Sequence, residues 1–416
     1  MLGSSYKRVR IGLWVALALL MAGFARADDA PKNLEELKAK YKAETEAIQI
    51  KVEKLGEAER QPLVDDQCSR MKATARQAFA YAKAHPDAPD SLDAIVWTVQ
   101  RVSNGSVAPF AEEITEAYRL LLERGLDDDK VAPVAYYADG VAAQCPAAKR
   151  FLEAALAGSK SRVVRGAAGL GLARSDDLLA QSARDVRDPI VGPEYAALWS
   201  KHRPDWLLLI RATDVDAAER RAEAMFERVV AEFPDVHLPQ PYRQEPFAEL
   251  AKGELYVLRH LAVGRVAPDL SGEDVRGGPI RLSDHRGKVV AVVFWATWCG
   301  PCMGEVPNER KLVAKMAGRP FTLIGIDGDD DREAAKKAMI RESMTWPSVW
   351  NGGMSGGIVA DWGVRAWPTV YVLDGHGVIR YQALHGEMLG RAVEHLVAEV
   401  EADTKSKINK SANQSP

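Results

Sequence analysis

The sequence predicts a multidomain protein, with an all-α N-terminal region of helical repeats or a bundle and an α/β C-terminal domain around a central mixed sheet. Three observations predict it. Residues 34–261 are rich in Ala, Leu, Glu and Arg, with apolar residues three and four apart, the spacing of amphipathic helices. After residue 266 the β-branched content rises, and continuous apolar runs alternate with helical patterns, the order of an α/β layer fold. The length, 416 residues, gives two or three domains at roughly 100–200 residues each. With 47% hydrophobic and 27% charged residues, the chain is neither disordered throughout nor a multi-span membrane protein. Its 55 basic and 58 acidic residues leave no positive excess to hold nucleic acid.

Taken in order, residues 1–27 read as an export signal. Lys7, Arg8 and Arg10 precede an uncharged apolar run over residues 11–24, and Ala25-Arg26-Ala27 supplies small residues at both key positions of a cleavage site. The alternative is an uncleaved N-terminal membrane anchor. Export would place the chain in the periplasm or cell envelope, where disulfides form and persist.

Residues 28–262 form the expected helical region. A charged helix over residues 34–55 is followed by apolar positions at 79–81 and 92–99, split by His85-Pro86-Asp87-Ala88-Pro89-Asp90, with Ser91 in the N-cap region. Helix–break–helix units recur at 118–137 and 151–172, a spacing of about 30–40 residues that suits a helix-pair solenoid. Residues 163–170 resemble the second helix of a HEAT-type repeat, and 224–235 the end of a tetratricopeptide-type unit. A solenoid would offer a concave surface to a protein partner. A plain bundle that spaces or pairs chains is the alternative. Cys68 and Cys145 are candidates for a structural disulfide between helix pairs, with two buried thiols as the other reading. Pro234, Pro239, Pro241 and Pro246 exclude a single helix there, and one more helix follows over 247–261.

The α/β domain is expected over residues 263–402. Residues 279–282 form a short strand candidate. Residues 288–295, KVVAVVFW, form a continuous apolar run suited to a strand buried on both faces. A helix over 301–315, a second buried strand over 321–326 and a helix over 332–342 follow. Strands at 369–373 and 378–381, joined by Asp374-Gly375-His376-Gly377, make an antiparallel hairpin. A helix over 388–400 closes the domain, and the Lys- and Ser-rich residues 403–416 read as a disordered tail. Acidic residues 327–331 read as N-capping the helix after them; the glycine-rich segment 351–357 reads as a loop.

Trp298-Cys299-Gly300-Pro301-Cys302 falls where the buried strand ends and the helix begins. A thiolate there meets unpaired N–H groups and the positive end of the helix dipole, which favours the charged, nucleophilic form of Cys299. Pro301 suits the first turn, where its missing N–H is not needed. Cys302 lies about one turn further, in reach of a mixed disulfide at Cys299. The expected chemistry is redox exchange through a Cys299–Cys302 disulfide, with no other cofactor. A zinc site needs two more ligands, and none follows at suitable spacing, so no metal is expected.

The segment 293–302, VFWATWCGPC, resembles the active-site segment of thioredoxin-like proteins. More narrowly, "VAPDL" at 266–270, "LSDHRGKVV" at 282–290, Glu305, Pro307 and Trp367-Pro368-Thr369 resemble the exported TlpA/ResA-like thiol–disulfide oxidoreductases with a redoxin-type domain. The resemblance covers the C-terminal third. It implies that Pro368 is cis and that Trp367, with Trp298 and Pro301, borders the substrate. It also implies that Glu305, sharing a helix face with Cys302, is a general acid–base; a solvated carboxylate is the other reading. The buried Asp that thioredoxins carry six residues before the first cysteine is replaced by Val293. Peroxide chemistry is disfavoured, because Ala296 and Val292 stand where a peroxidase carries Thr and Pro.

The function expected is thiol–disulfide exchange on exported proteins in the reducing direction, with an upstream dithiol electron donor, membrane-bound in one reading. Alternatives are a disulfide oxidase or isomerase, or a scaffold whose helical region docks a protein partner while the redox pair senses.

Overall fold

A computed structural model describes residues 33–52, 57–102, 111–242, 244–354 and 357–412. The export signal read over residues 1–27 lies outside them. The chain divides into two compact units, Met1–Leu126 and Asp127–Pro416. That boundary falls inside the stretch 28–262, which composition alone marks as one helical region. Among the described residues no helix is long and apolar enough to cross a membrane.

The first unit contains α1 (Leu34–Val52), α2 (Glu57–Ala84), α3 (Ser91–Val102) and α4 (Ala111–Arg124). Its core is built from Leu34, Leu37, Phe79, Ile95, Val99, Tyr118 and Leu121, positions at helical spacing on four amphipathic helices. Asp90 ties the break between α2 and α3 to α1 and α2: it accepts from the Leu34 amide (3.2 Å) and the Tyr81 hydroxyl (2.8 Å). The Ser91 hydroxyl donates back to the Ala82 carbonyl (3.2 Å) rather than capping its own helix.

The second unit begins with α5 (Ala132–Tyr136), α6 (Asp139–Ala142), α7 (Pro146–Gly158), α8 (Arg162–Arg187), α9 (Gly192–His202), α10 (Pro204–Ala212), α11 (Val215–Glu232) and α12 (Phe247–Tyr256). All seven others pack on α8, which is 26 residues long whereas α6 has four. One long hub with unequal neighbours is the arrangement here. The glycines of α8 explain it. A Cβ at Gly169 would lie 2.8 Å from Val229, and one at Gly171 would strike the Ala135 backbone oxygen. Small residues on this stripe let α5 and α11 approach the α8 backbone.

The α/β part contains β1 (Ser271–Glu273), β2 (Pro279–Arg281), β3 (Val289–Trp295), α13 (Gly300–Lys315), β4 (Phe321–Asp327), α14 (Arg332–Arg341), β5 (Ser348–Trp350), α15 (Gly357–Asp361), β6 (Thr369–Leu373), β7 (Ile379–Gln382) and α16 (Gly386–Ala412). The main sheet has five strands in the order β5-β4-β3-β6-β7. β3, β4 and β5 run parallel; β6 and β7 run antiparallel, so the sheet is mixed. β1 and β2 form a separate antiparallel pair. Every residue of β3 is buried. Val289, Ala291, Val293 and Trp295 face a core shared with α13, α14 and α16, while Val290, Val292 and Phe294 face one with Leu261, Val359 and Trp362.

Two expectations need correction. The helix α16 continues to Ala412, so residues 403–412 are not a disordered tail. They lack an apolar stripe, but Ala, Glu and Lys propagate a helix already nucleated by packing. Cys68, in the first unit, is exposed, and Cys145, in the second, is buried. Of the acidic run, Asp331 caps α14 through the Glu333 amide (2.9 Å); Asp327 and Asp329 are buried and do other work.

Gly171→Ala tests the hub. The backbone oxygen in its way cannot rotate aside, so the substitution is expected to cost about 1–3 kcal/mol. Chemical unfolding measures it, and an unchanged midpoint would refute the close approach.

Candidate active site

Strand pairing brings three chain segments to one end of the sheet. β3 ends at Trp295, and parallel pairing sets Asp327 opposite it. Antiparallel pairing sets Thr369, the first residue of β6, opposite Phe294. The exit of β3, the exit of β4 and the entry to β6 therefore share an edge. Trp295 is fixed there by its indole N–H, which donates to the buried Ser348 hydroxyl (2.8 Å).

After Ala296 the chain turns into α13 with Cys299 as its N-cap. Cys299 Sγ accepts from the Cys302 amide at 3.1 Å. This is the bond an Asp or Ser side chain makes at an ordinary N-cap. Sulfur here occupies the place of the capping oxygen. Pro301 sits in the first turn. Cys299 and Cys302 are joined as a disulfide, with Cα atoms 5.3 Å apart, and both are buried.

Opposite them, the Trp367–Pro368 peptide is cis. Trp298, 52% exposed, meets Trp367 edge to face with ring centroids 5.5 Å apart. Trp367 lies against Gly328, where a Cβ would collide with its ring. Trp298 and Pro301 flank the cysteines in the chain, and Trp367 packs against the core cluster that contains Cys299 and Cys302.

Glu305 is half-buried one turn beyond Cys302. Its Oε2 accepts from the Gly386 amide (2.9 Å) at the start of α16 and, more weakly, from Asn308 (3.4 Å). The carboxylate thus caps a second helix, a structural task that sequence reasoning did not anticipate.

Two further acids were missed. Glu309, only 6% exposed, follows Glu305 by one turn on the inward face of α13. Burial, reinforced by the negative charge of Glu305, pushes its carboxyl up to about 8. The Cys302–Glu309 spacing of seven, two helical turns, was the available signal. Asp327 is fully buried. Its Oδ1 accepts from the Asp329 amide (3.3 Å), while its Oδ2 has no partner. Burial first, and the Asp329 carboxylate second, push it up to about 9. Asp329 in turn clamps the approach to Cys299, accepting from the Thr297 amide (2.9 Å) and hydroxyl (2.7 Å). No periodicity distinguishes these aspartates from capping residues. Among the described residues, no group of three or more His, Cys, Asp or Glu side chains is placed to hold a metal.

Known proteins are similar to the C-terminal third of this chain. The AhpC/TSA family profile matches residues 263–382. The chain is 33% identical over 135 residues to the thioredoxin-like protein YneN of Bacillus subtilis, covering 32% of this chain and 76% of that one. It is 30% identical over 134 residues to the thiol-disulfide oxidoreductase ResA of Bacillus anthracis, covering 32% and 76% respectively. Among solved structures, the thioredoxin domain of a Bacteroides vulgatus thiol-disulfide oxidoreductase is similar at 30% identity, covering 33% of this chain and 98% of that one with a TM-score of 0.31.

The buried acids give a test with a definite sign. Both carboxyls are held far above their unfolded values near 4. Their contribution to stability is intact below those values and is lost as pH rises towards about 8 for Glu309 and about 9 for Asp327. Unfolding free energy should therefore fall between pH 5 and 8. Glu309→Gln should remove its share of that slope, on the order of 1.4 kcal/mol per pH unit. Urea unfolding at pH 5, 6.5 and 8 checks this, and an unaltered slope in the variant would show Glu309 to be ionised throughout.

Proposed function

Since the chain belongs, through residues 263–382, to the thioredoxin-like thiol–disulfide oxidoreductases, we propose that it reduces disulfides in exported proteins, with Cys299 as nucleophile and Cys302 as resolving thiol. The observation that carries the assignment is the Cys302 amide directed at Cys299 Sγ from the first turn of α13. In the reduced protein that N–H and the helix dipole would stabilise negative charge on Cys299 sulfur.

The steps balance as follows. Cys299 thiolate attacks one sulfur of a substrate disulfide. The substrate S–S bond breaks, and the displaced thiolate takes up a proton. Cys302 loses its proton and attacks Cys299 Sγ in the mixed disulfide. That forms the Cys299–Cys302 bond and releases the second substrate sulfur as a thiolate, which is protonated in turn. Two electrons pass to the substrate. A dithiol donor, at or in the membrane, then restores the pair by the reverse exchange. The proton of Cys302 is assigned to Glu305, one turn away on the same helix. Glu309, neutral at pH 7, is a less suitable acceptor. Trp367 and the cis-Pro368 offer backbone groups at the entry to β6, where an extended substrate segment would pair as a short strand. The reducing direction is supported by the family resemblance, and the exported setting by the signal pattern in residues 1–27.

Cys302→Ser should stall the cycle at the mixed disulfide. After exposure to disulfide-bearing exported proteins, non-reducing electrophoresis and mass spectrometry should find adducts linked through Cys299, absent in Cys299→Ser. Adducts on Cys302 instead, in a Cys299→Ser protein, would reverse the order of attack.

A further inference from the structure

The helices before the α/β part reach the substrate-facing loop through one carboxylate. Glu254, on α12, accepts from Arg174 Nε of α8 at 2.9 Å and also pairs with Arg365. Arg365 lies three residues before Pro368. Arg174 is itself held: its guanidinium lies over the Tyr136 ring at 4.6 Å and donates to the Tyr136 hydroxyl at 3.3 Å. The Arg174 and Glu254 side chains are each only 17% exposed. A pair this withdrawn from water is held in one geometry, because breaking it strands a charge.

The backbone is shaped for this contact from both sides. A Cβ at Gly253 would stand 2.9 Å from Arg365 Nη2. Gly363 has φ +57°, and a Cβ there would stand 2.5 Å from Val257 Cγ2. Two glycines thus let the end of α12 and the loop 363–368 touch. The loop leaves the core at Trp362, which is buried against Phe294 and Tyr371, and re-enters the sheet at Thr369. Between these anchors Arg365 and Ala366 are exposed, and Glu254 grips the loop at Arg365. Beside this grip lies a cleft of about 600 Å³ between α12 and the loop, lined by Glu249, Tyr256, Met354, Asp361 and Arg365 among others.

We propose that Glu254 is a positioning residue for polypeptide substrates: through Arg365 it holds the loop whose Trp367 and Pro368 would pair with the substrate backbone. This inference rests on the oxidoreductase reading above and adds to it a task for the helical layer. Glu254 touches neither sulfur nor substrate; its effect is on the order of the loop. A substrate that pairs along the loop meets the ordering cost when Glu254 is absent, whereas a small disulfide that needs only the sulfurs does not.

The test uses the full-length protein, pre-reduced, in single-turnover reactions followed by tryptophan fluorescence. Two probes are compared: a peptide of about twelve residues containing one intramolecular disulfide, and bis(2-hydroxyethyl) disulfide. Arg365→Gln leaves the buried Arg174–Glu254 pair intact and releases only the loop. It should raise the half-saturating peptide concentration about five-fold, the effect of losing one partly exposed ion pair. The limiting rate, and the rate with the small disulfide, should be unchanged. Arg365→Lys should recover part of the loss, and Glu254→Gln should reproduce it. If Arg365→Gln and Glu254→Gln lower the melting temperature but leave peptide half-saturation at the wild-type value, the contact is merely structural and the inference falls. Equal losses with both probes would place the effect on the sulfurs and overturn it too. A wild-type protein inactive towards both disulfides would instead overturn the oxidoreductase reading, and this inference with it.

Discussion

A strand buried on both faces must deliver the chain into a helix whose first amides have no partners. That junction, between β3 and α13, is the constraint on which the rest of the site depends. The helix start needs an acceptor, and the residue in that position is Cys299, whose sulfur takes the Cys302 amide. The same requirement that ends a strand and begins a helix thus creates an electrophilic cradle for a thiolate. Sheet topology completes it. Because β6 runs antiparallel to β3, its beginning lies beside the end of β3, and the cis-proline loop must approach the cysteines. Had β6 been parallel, its entry would lie at the opposite edge of the sheet.

The parallel neighbour β4 adds an electrostatic consequence. Its end brings Asp327 beside Trp295, on the face of the sheet that packs against α13. A carboxylate there would lack solvent and would sit beside Asp329. Protonation removes the conflict. Asp329 can then remain the acceptor that fixes Thr297. Glu309 follows the same logic on α13. Two buried carboxyls held neutral at pH 7 keep extra negative charge away from the side of the sheet where the cycle would generate a thiolate. Such a thiolate would raise both carboxyls further, so the arrangement is self-consistent through both redox states.

What could be read in the sequence was what local physics encodes strongly. The apolar run at 288–295, the Trp-Cys-Gly-Pro-Cys junction and the turn at 374–377 each carry one dominant signal, and each lies where it was expected. β1 and β5, of three residues each, are too short to show a period and exist only through pairing. Asp327 and Glu309 look like solvated acids in sequence, because burial is decided by strand order and helix rotation. The long helix α8 was legible only in its first ten residues or so. Its later turns, with Arg174, Asp177 and Asp185, look exposed until neighbouring helices enclose them.

The place where the composition changes, near residue 262, marks a change of secondary-structure class. Compactness follows a different line. Val191, with Ile190 and Tyr195 beside it, packs into the same core as Val393, Leu396 and Val397 of α16, and Val257 and Leu261 join Trp362 and Phe294 on the other face of the sheet. Arg391 of α16 pairs with Glu194 of α9, and the Gln382 amide donates to the Leu261 carbonyl. Hydrophobic burial is indifferent to secondary-structure class. Residues from both sides of the compositional border contribute apolar surface to one interior, so removing residues 127–261 would expose part of both cores. A domain with a flexible linker would leave the redox site to act alone. Here the preceding helices form part of its packing, and through Glu254 they touch the loop that faces the dithiol.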